Sequence, residues 1–184
     1  SAGDLVVAGG VFYPSASSTL LVSDNQGNTY NVPDVVRSVL GATAFPTADA
    51  YVALAHDENV ASSGTFTLSF DTQTANSYYV CGGVAFSQAA TASALDVTAA
   101  ANTVNTSQNS QATGTTASTA QADAVSVIVF GYSGADDLTP IAASGFTVTA
   151  SSADPSGGIG ALAYRIETTV GAKSGLWTFG GVPD

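Results

Sequence analysis

The chain has 184 residues, 45 % of them hydrophobic and only 9 % charged, and its three Lys and Arg residues face 14 Asp and Glu residues for a net charge of −11. Binding to a phosphate backbone or an anionic membrane surface needs several cations on one face, so we expect neither nucleic acid nor membrane as a partner. The apolar runs are also far shorter than the ~20 residues that span a bilayer. The length is sufficient for one well-buried domain, predicted to cover residues 1–184.

The first half of the chain predicts strands grouped around a hairpin at residues 20–33. An apolar run enters the polar tip Asp24–Asn28, and a Tyr-containing run leaves it. Gly27 can adopt a positive φ without steric cost, and Asp and Asn bond their own backbone in turns, so this pattern is typical of a β-hairpin. Further strands are predicted at residues 5–13, 51–55, 66–70 and 78–86. Within the first of them, Gly9 and Gly10 indicate a bulge or a close backbone approach.

The clearest periodicity lies at residues 65–70. Phe66, Leu68 and Phe70 alternate with Thr and Ser, which predicts a strand that covers a core with one face. Residues 77–86 are apolar in their middle and are predicted to form a central strand. Ahead of these strands, Asp34 precedes apolar residues at helical spacing, so a short helical turn with Asp34 as its N-cap is predicted. Those apolar residues are Val35, Val36, Val39 and Leu40.

Residues 87–122 differ in composition from the rest of the chain. They consist mainly of Ala, Ser, Thr, Asn and Gln, with Leu95, Val97 and Val104 as their few large apolar residues. Low hydrophobicity with low charge predicts an extended segment on the surface, with short strands and no core of its own. TGTTAST at residues 113–119 is compatible with a strand through its threonines. We interpret the whole segment as a candidate partner-facing surface.

The last third of the chain again predicts strands. They lie at residues 123–131, 145–149, 160–168 and 173–179, with a loop at 133–139, a turn cluster at 151–158 and a hairpin at 169–172 that joins the last two strands. Strands that recur about every ten residues between Gly, Asn, Asp and Pro are typical of β-sandwiches. The predicted fold is therefore all-β: a single-domain antiparallel β-sandwich of jelly-roll or immunoglobulin-like type, with little helix.

Several motifs, taken in chain order, resemble one family. They are AGDLVV near the start, VSDNQGNTYNV, the mid-chain ALDVTAAANT and TGTTASTAQAD, SGFTV, and the closing LAYRIETTVGAKSGLWTF. Together they cover about residues 2–179 and resemble a β-sandwich domain found in bacterial surface or secreted proteins and in tailed-phage structural proteins. The chain departs from the family pattern at Phe86-Ser87 and in the excursion at residues 37–46. The resemblance implies the fold and a structural setting, and it implies no catalytic or ligand-binding residue.

The residues that could carry chemistry form no constellation. His56, Asp57 and Glu58 follow the predicted strand at residues 50–55, but a general base needs a positioned partner and a cleft, and zinc needs three or four ligands. We interpret them as a solvated loop. No Ser lies in a G-x-S-x-G motif, and the single His would have to serve every triad. Cys81 is interpreted as a small buried hydrophobe in a strand. We expect no enzymatic activity, no catalytic residue and no cofactor.

Two loops carry oxygen-bearing residues that a calcium ion could use. The candidate ligands are Asp24, Asn25 and Asn28 in the first loop, and Asp136 with Asp137 in the second. Calcium takes six to eight oxygens, and neither loop has an EF-hand or RTX pattern. The first set is interpreted as turn formers, since Asx turns need the same residues. The second is the better calcium candidate of the two, and no metal site is predicted.

Aromatic residues could bind sugars by stacking if they are exposed. The candidates are Tyr13, Tyr30, Tyr132 and Trp177. Trp177 lies between the apolar Leu176 and Phe179, so we expect it to pack in the core.

Composition and the lack of a chemical constellation favour a non-enzymatic structural protein. We expect a capsid decoration (cement) protein or other virion-surface protein of a bacteriophage, which binds the major capsid protein or copies of itself as a homo-oligomer or lattice. The alternative is an extracellular bacterial fibre or adhesin subunit that donates a strand such as residues 5–13, or a carbohydrate-binding module. A hydrolase acting through His56 is a third possibility. The small Ser1 fits removal of an initiator Met or cleavage of a leader, so a virion surface and a cell surface both stay open.

Overall fold

The computed structural model describes residues 4–12, 21–30, 38–39, 49–58, 65–71, 79–87, 96–97, 110–132, 141–143, 145–154 and 158–179. All regular structure in these ranges is β-strand, so the expectation of an all-β chain is confirmed for them. The strands are β1 (Asp4–Phe12), β2 (Leu21–Asp24), β3 (Ser38–Val39), β4 (Asp49–Glu58), β5 (Leu68–Asp71), β6 (Tyr79–Phe86), β7 (Ser110–Ala112), β8 (Ala124–Tyr132), β9 (Ile141–Ala143), β10 (Thr147–Asp154), β11 (Gly158–Glu167) and β12 (Leu176–Phe179). The described ranges hold no helix long and apolar enough to cross a membrane.

A four-stranded sheet with the order β3-β4-β1-β6 is built around β1, and its strands pair antiparallel. Successive side chains of a strand point to opposite faces, so Val6 and Ala8 lie on one face of this sheet and Leu5 and Val7 on the other. All four side chains are buried. A strand with apolar neighbours on both faces has an almost continuous apolar sequence, as β1 does.

Two apolar clusters cover the two faces of β1. On one face, Val6 and Ala8 pack with the buried ring of Tyr30. The residues packed against this cluster are Val22, Phe66, Leu68 and Phe70. On the other face, Leu5 and Val7 form a second cluster. The residues packed against the second cluster are Val84, Phe86 and Val127. The predicted alternation at residues 65–70 is confirmed, because its three apolar side chains turn inward and the Thr and Ser between them are exposed.

The predicted hairpin at residues 20–33 is wrong, because β2 pairs with β5. Asp24 lies opposite Leu68 in this ribbon. The turn itself forms where the sequence predicts it, and Gly27 has a φ of 80°. The described chain after the turn does not return along β2, and Tyr30 instead packs into the cluster beside Val6. The apolar alternation of β5 supplies β2 with its neighbour.

Two three-stranded antiparallel sheets complete the described architecture, with the orders β10-β11-β8 and β7-β12-β9. Small residues of β11 lie opposite large residues of β8: Ala161 faces Phe130, and Ala163 faces Ile128. These four pack with Trp177 of β12 in a third apolar cluster, in which the indole is only 1 % exposed. The expectation that Trp177 belongs to the core is confirmed.

Several predicted strand ends are wrong, because a neighbouring strand continues the hydrogen-bond ladder. β4 runs through residues 56–58, for which the sequence predicts a loop, since β1 offers it backbone partners as far as Asp4 opposite Glu58. β10 likewise runs to Asp154, opposite Gly158, inside the predicted turn cluster at 151–158. Polar side chains do not end a strand while a ladder partner is available.

Other details of pairing also differ from the expectations. β11 and β12 belong to different sheets, so residues 169–172 are not the turn of a hairpin between them. β1 has no register shift at Gly9-Gly10, and its irregularity lies between Asp4 and Val6. β6 stands at the end of its sheet in the described order, not in the centre. Of the predicted helical turn, Val39 lies in β3 and the other residues lie outside the described ranges, as does the loop at 133–139.

Candidate contact surface

Residues 112–119 and 170–177 run side by side in antiparallel directions, and we call this pair the contact ribbon. Leu176 lies opposite Ala112 at one end, and Ser118 forms a bridge with Ala172 near the other. Three backbone hydrogen bonds connect the strands in between: Thr113 N–H to Gly175 O at 2.9 Å, Thr116 N–H to Lys173 O at 2.9 Å, and Thr119 N–H to Gly171 O at 3.1 Å. The bonded positions are therefore three residues apart on the first strand and two residues apart on the second.

The hydroxyls of the same three threonines complete this ladder. Each threonine therefore makes two hydrogen bonds with one residue opposite: its N–H donates to that residue's carbonyl, and its Oγ1 accepts that residue's N–H. The second bond runs from Gly175 to Thr113 at 2.7 Å, from Lys173 to Thr116 at 2.9 Å, and from Gly171 to Thr119 at 3.3 Å. In an ordinary antiparallel pair a backbone carbonyl accepts that N–H. Here a side-chain oxygen takes its place, which explains why threonine recurs at every third position.

The second strand of the contact ribbon alternates between solvent and core. Its even-numbered residues are exposed, with Val170 at 57 % and Leu176 at 38 %, while the odd-numbered ones are half-buried or buried. A Cβ at Gly175 would touch Ile128 and Phe146, so the inner face lies directly on the core of Trp177. The exposed residues of the ribbon are Ala112, Thr115, Ala117, Ser118, Val170, Ala172, Ser174 and Leu176. None is charged, so the ribbon presents an uncharged, partly apolar surface on a firm core.

An ion cluster holds the second strand of the contact ribbon onto β11. Arg165 places Nη2 2.7 Å and Nε 2.8 Å from Oε1 of Glu167, and its guanidinium lies 4.4 Å from the ring centre of Phe146. Lys173 Nζ lies 3.5 Å from Oε2 of Glu167 and donates to the Thr169 carbonyl at 2.6 Å. Two of the chain's three Lys and Arg residues thus bind one carboxylate. The charges of both residues are thus paired within the chain.

The surroundings of Glu167 keep its carboxylate ionised. Burial raises the pKa of Glu167, but the hydrogen bonds from Ser126 and Arg165 and the charges of Arg165 and Lys173 together lower it by more. The pKa therefore lies below the 4.5 of an ordinary glutamate.

The predicted turn residues Asp24 and Asn28 form a local hydrogen-bond network. The Asp24 carboxylate accepts the backbone N–H of Gln26 at 2.8 Å and that of Asn28 at 3.2 Å, Nδ2 of Asn28 at 2.7 Å and the Tyr30 hydroxyl at 2.8 Å. Burial raises the pKa of Asp24, but these hydrogen bonds lower it by more, to below the ordinary 3.8. Both carboxylate oxygens are occupied, which supports the interpretation of Asp24 as a turn former.

Asn25 connects this turn to the start of β5. Its side chain donates to the Thr65 carbonyl at 2.7 Å and accepts the Thr67 N–H at 3.0 Å, and its own N–H donates to the Thr67 carbonyl at 3.2 Å. The amide group thus continues the ladder between β2 and β5. Asn25 is a structural residue, with both ends of its amide bound to backbone.

The remaining candidates do not come together in the described part of the chain. His56, Asp57 and Glu58 lie on β4, and Asp136 and Asp137 lie outside the described residues. The described residues hold no group of three or more His, Cys, Asp or Glu that could bind a metal ion.

The predicted aromatic platforms are not exposed where they are described. Tyr30 and Trp177 are 8 % and 1 % exposed, so neither offers a face for stacking on a sugar. Tyr13 and the side chain of Tyr132 lie outside the described set. Cys81 is half-buried in β6, and burial raises the pKa of its thiol to about 12, as expected for an unreactive thiol.

Sequence reasoning missed two parts of this surface. The spacing T-x-x-T-x-x-T at residues 113–119 was a visible signal, but a strand pattern of period two does not reveal it. Arg165 and Glu167 are two residues apart on a predicted strand. Such residues share a face, so their ion pair could also have been predicted. The addition of Lys173 depends on the path of residues 168–172, for which the sequence carries no comparable signal.

No family model, curated protein or solved structure matches this chain. Its function is therefore inferred from its own residues.

Proposed function

We propose that this chain is a non-enzymatic structural module that works by protein–protein contact, as a decoration protein on a phage capsid or another virion surface. It would bind the major capsid protein or copies of itself. The motifs that resemble a β-sandwich family of tailed-phage structural proteins and bacterial surface proteins support this setting. The observation that carries the proposal is the exposed, uncharged face of the contact ribbon, with Val170 and Leu176 standing out from it.

We infer that the sheets stack as a β-sandwich beneath this surface. Phe86 of β6 contacts Tyr164 of β11 edge to face, with ring centres 5.1 Å apart. Val127 of β8 packs on the cluster of Leu5 and Val7. These contacts support two facing layers, β3-β4-β1-β6 and β10-β11-β8. A rigid layered core holds the ribbon in one shape, and this lowers the entropy lost when a partner binds.

The ribbon suits association because it removes the usual obstacles to contact. Each chain carries a net charge of −11, so copies or acidic partners repel one another through most surfaces, but not through an uncharged one. Small side chains such as Ala172 and Ser174 allow close approach, and Val170 and Leu176 supply apolar area. A stable interface between two proteins buries roughly 800 Å² per partner, and many copies bound to one shell would give lasting attachment even where each contact buries less.

A matched pair of charge substitutions tests this proposal. Leu176→Asp puts a carboxylate in the ribbon, while Leu21→Asp puts one at an equally exposed leucine of β2, 42 % against 38 % exposed. The assay is cosedimentation of each purified variant with shells of the major capsid protein encoded near this chain. Leu176→Asp should abolish binding and Leu21→Asp should retain it. Equal binding by both variants, or failure of the unaltered chain to bind any shell, would contradict the proposal.

The alternative setting, an extracellular bacterial fibre, adhesin or carbohydrate-binding module, gives different outcomes. A leader sequence ahead of Ser1 in the precursor gene, next to secretion or surface genes, would favour the extracellular setting. Binding to a glycan array that is lost when one exposed aromatic residue is changed would favour a carbohydrate ligand.

A further inference from the structure

Lys173 connects the two strands of the contact ribbon through its backbone and connects the ribbon to β11 through its side chain. Its backbone N–H and carbonyl both bind Thr116 of the opposite strand, at 2.9 Å each. Its Nζ, on a side chain only 11 % exposed, lies 3.5 Å from Glu167. The Glu167 carboxylate is in turn bound by Arg165, whose Nη2 also donates to the Ser174 carbonyl at 3.5 Å. Glu167 thus binds Lys173 directly and orients the arginine that binds the next residue of the ribbon.

We propose that Glu167 is an acid-sensitive clip, which keeps the contact ribbon in place while ionised and releases it when protonated. This rests on the proposed function, since the released element is the proposed contact surface. The clip would give the chain a second state at low pH, in which the ribbon is loosened while the rest of the fold persists.

The physical reason is the imbalance of charge that protonation leaves behind. The groups that face Glu167 are Arg165 on its own strand, Lys173 on the ribbon and the Ser126 hydroxyl on β8. Once the carboxylate is neutral, Lys173 and Arg165 both lose the anion that they bind, and the largely buried charge of Lys173 without that partner is destabilising. Because the pKa of Glu167 is lowered on folding, its stabilisation is complete above the ordinary value of 4.5 and is lost as the pH falls through the lowered value.

Amide hydrogen exchange at pH 7 tests the clip without acid. Glu167→Gln removes the charge and keeps the shape, while Asp123→Asn removes a charge from an exposed residue next to β8, at a φ of 57° that Asn also tolerates. Glu167→Gln should speed exchange of the Thr116 and Lys173 amides by about tenfold or more, because a hydrogen-bonded charge contributes at least that factor. The Val7 amide of β1 should not change. Asp123→Asn should leave all of these rates unchanged.

Trp177 provides the second readout, because it is the only tryptophan and is the last residue of the ribbon. In the unaltered chain, its fluorescence should become accessible to a quencher at a pH below 4.5, before far-ultraviolet circular dichroism shows loss of strands. Glu167→Gln should show this accessibility already at pH 7. If quenching and strand loss occur together, or if Glu167→Gln behaves like Asp123→Asn, the clip is wrong.

These measurements use the isolated chain, so they are independent of any partner. A clip that opens as described, in a chain that binds no shell, would leave the conformational device standing and contradict the proposed function. Shell binding that depends on Leu176, in a chain whose Glu167→Gln variant shows unchanged amide exchange, would support the proposed function and contradict the clip.

Discussion

Replacing Thr116 with Val removes one hydroxyl of the threonine ladder and keeps the shape of the side chain. Val is also β-branched and suits an extended strand, so the backbone has no reason to change. The backbone hydrogen bond from residue 116 to the Lys173 carbonyl, at 2.9 Å, stays in place. What is lost is the acceptor for the Lys173 N–H, also at 2.9 Å, and a donor to the exposed Ala117 carbonyl at 2.7 Å.

The expected cost follows from where these two groups lie. Water can replace the hydroxyl at the exposed Ala117 carbonyl, so that loss contributes little. The Lys173 N–H is part-buried, and leaving such a donor without a partner costs about 1–2 kcal/mol. Thr115→Val is the matched control, because Thr115 is exposed and the structure shows no hydrogen bond from its side chain. Substitutions at such sites change stability by about 0.5 kcal/mol or less.

Urea unfolding measures the difference between these variants. Thr116→Val should lower the unfolding midpoint at an unchanged m value, and Thr115→Val should leave both unchanged. The triple variant at residues 113, 116 and 119 should lose about 3 kcal/mol, since each hydroxyl serves a different donor and each hydrogen bond is worth about 1 kcal/mol. If Thr116→Val and Thr115→Val unfold at the same urea concentration, the hydroxyls do not hold the ribbon and the ladder is misassigned.

Three further predictions concern the rest of the fold. Gly83→Ala should destabilise the protein by about 1–3 kcal/mol in thermal unfolding, because a Cβ there would overlap the Leu68 side chain, and Leu68→Ala in the same chain should recover part of the loss. Asp24→Asn should be less stable than the unaltered chain at pH 7. The difference in unfolding free energy should narrow as the pH falls below 3.8, because the pKa of Asp24 is lowered on folding and its stabilisation is lost in acid. A difference that does not change with pH would refute this. With its pKa raised to about 12, the Cys81 thiol should resist alkylation at pH 8 in the folded chain and react fully in urea, and rapid labelling of the folded chain would contradict its burial.

Much of the fold could be predicted from local pattern, because period-two alternation decides which face of a strand is buried. Phe66, Leu68 and Phe70 show this, since they turn inward as expected. The same pattern cannot decide which strand lies alongside. A turn at Asp24–Asn28 is equally compatible with a hairpin and with a chain that leaves β2. In the structure β2 pairs with β5, and Tyr30 packs in a cluster that only the folded chain assembles.

The composition of residues 87–122 singles out the region of the first ribbon strand, but it does not reveal how the ribbon is built. That composition predicts an extended surface segment; the described residues 110–122 hold one short strand, β7, and side chains that are mostly exposed or half-buried. The second strand of the ribbon lies more than fifty residues further along the chain. A spacing of three residues on one strand against two on the other arises only when the two strands lie side by side. Hydroxyl oxygens then substitute for carbonyls, a role that no local propensity of threonine predicts.

The distribution of cations connects the interior of this protein with its exterior. Lys and Arg usually provide a protein's charged contacts with partners, yet Arg165 and Lys173 both bind Glu167, and the described ranges hold no other Lys or Arg. An acidic partner would therefore find no free lysine or arginine on the described surface, and a basic partner would be drawn to acidic groups away from the ribbon. What the ribbon itself offers is apolar area and small polar groups. Under the proposed function, contact there would depend on shape and on the number of copies rather than on charge, as coating a repeating shell requires.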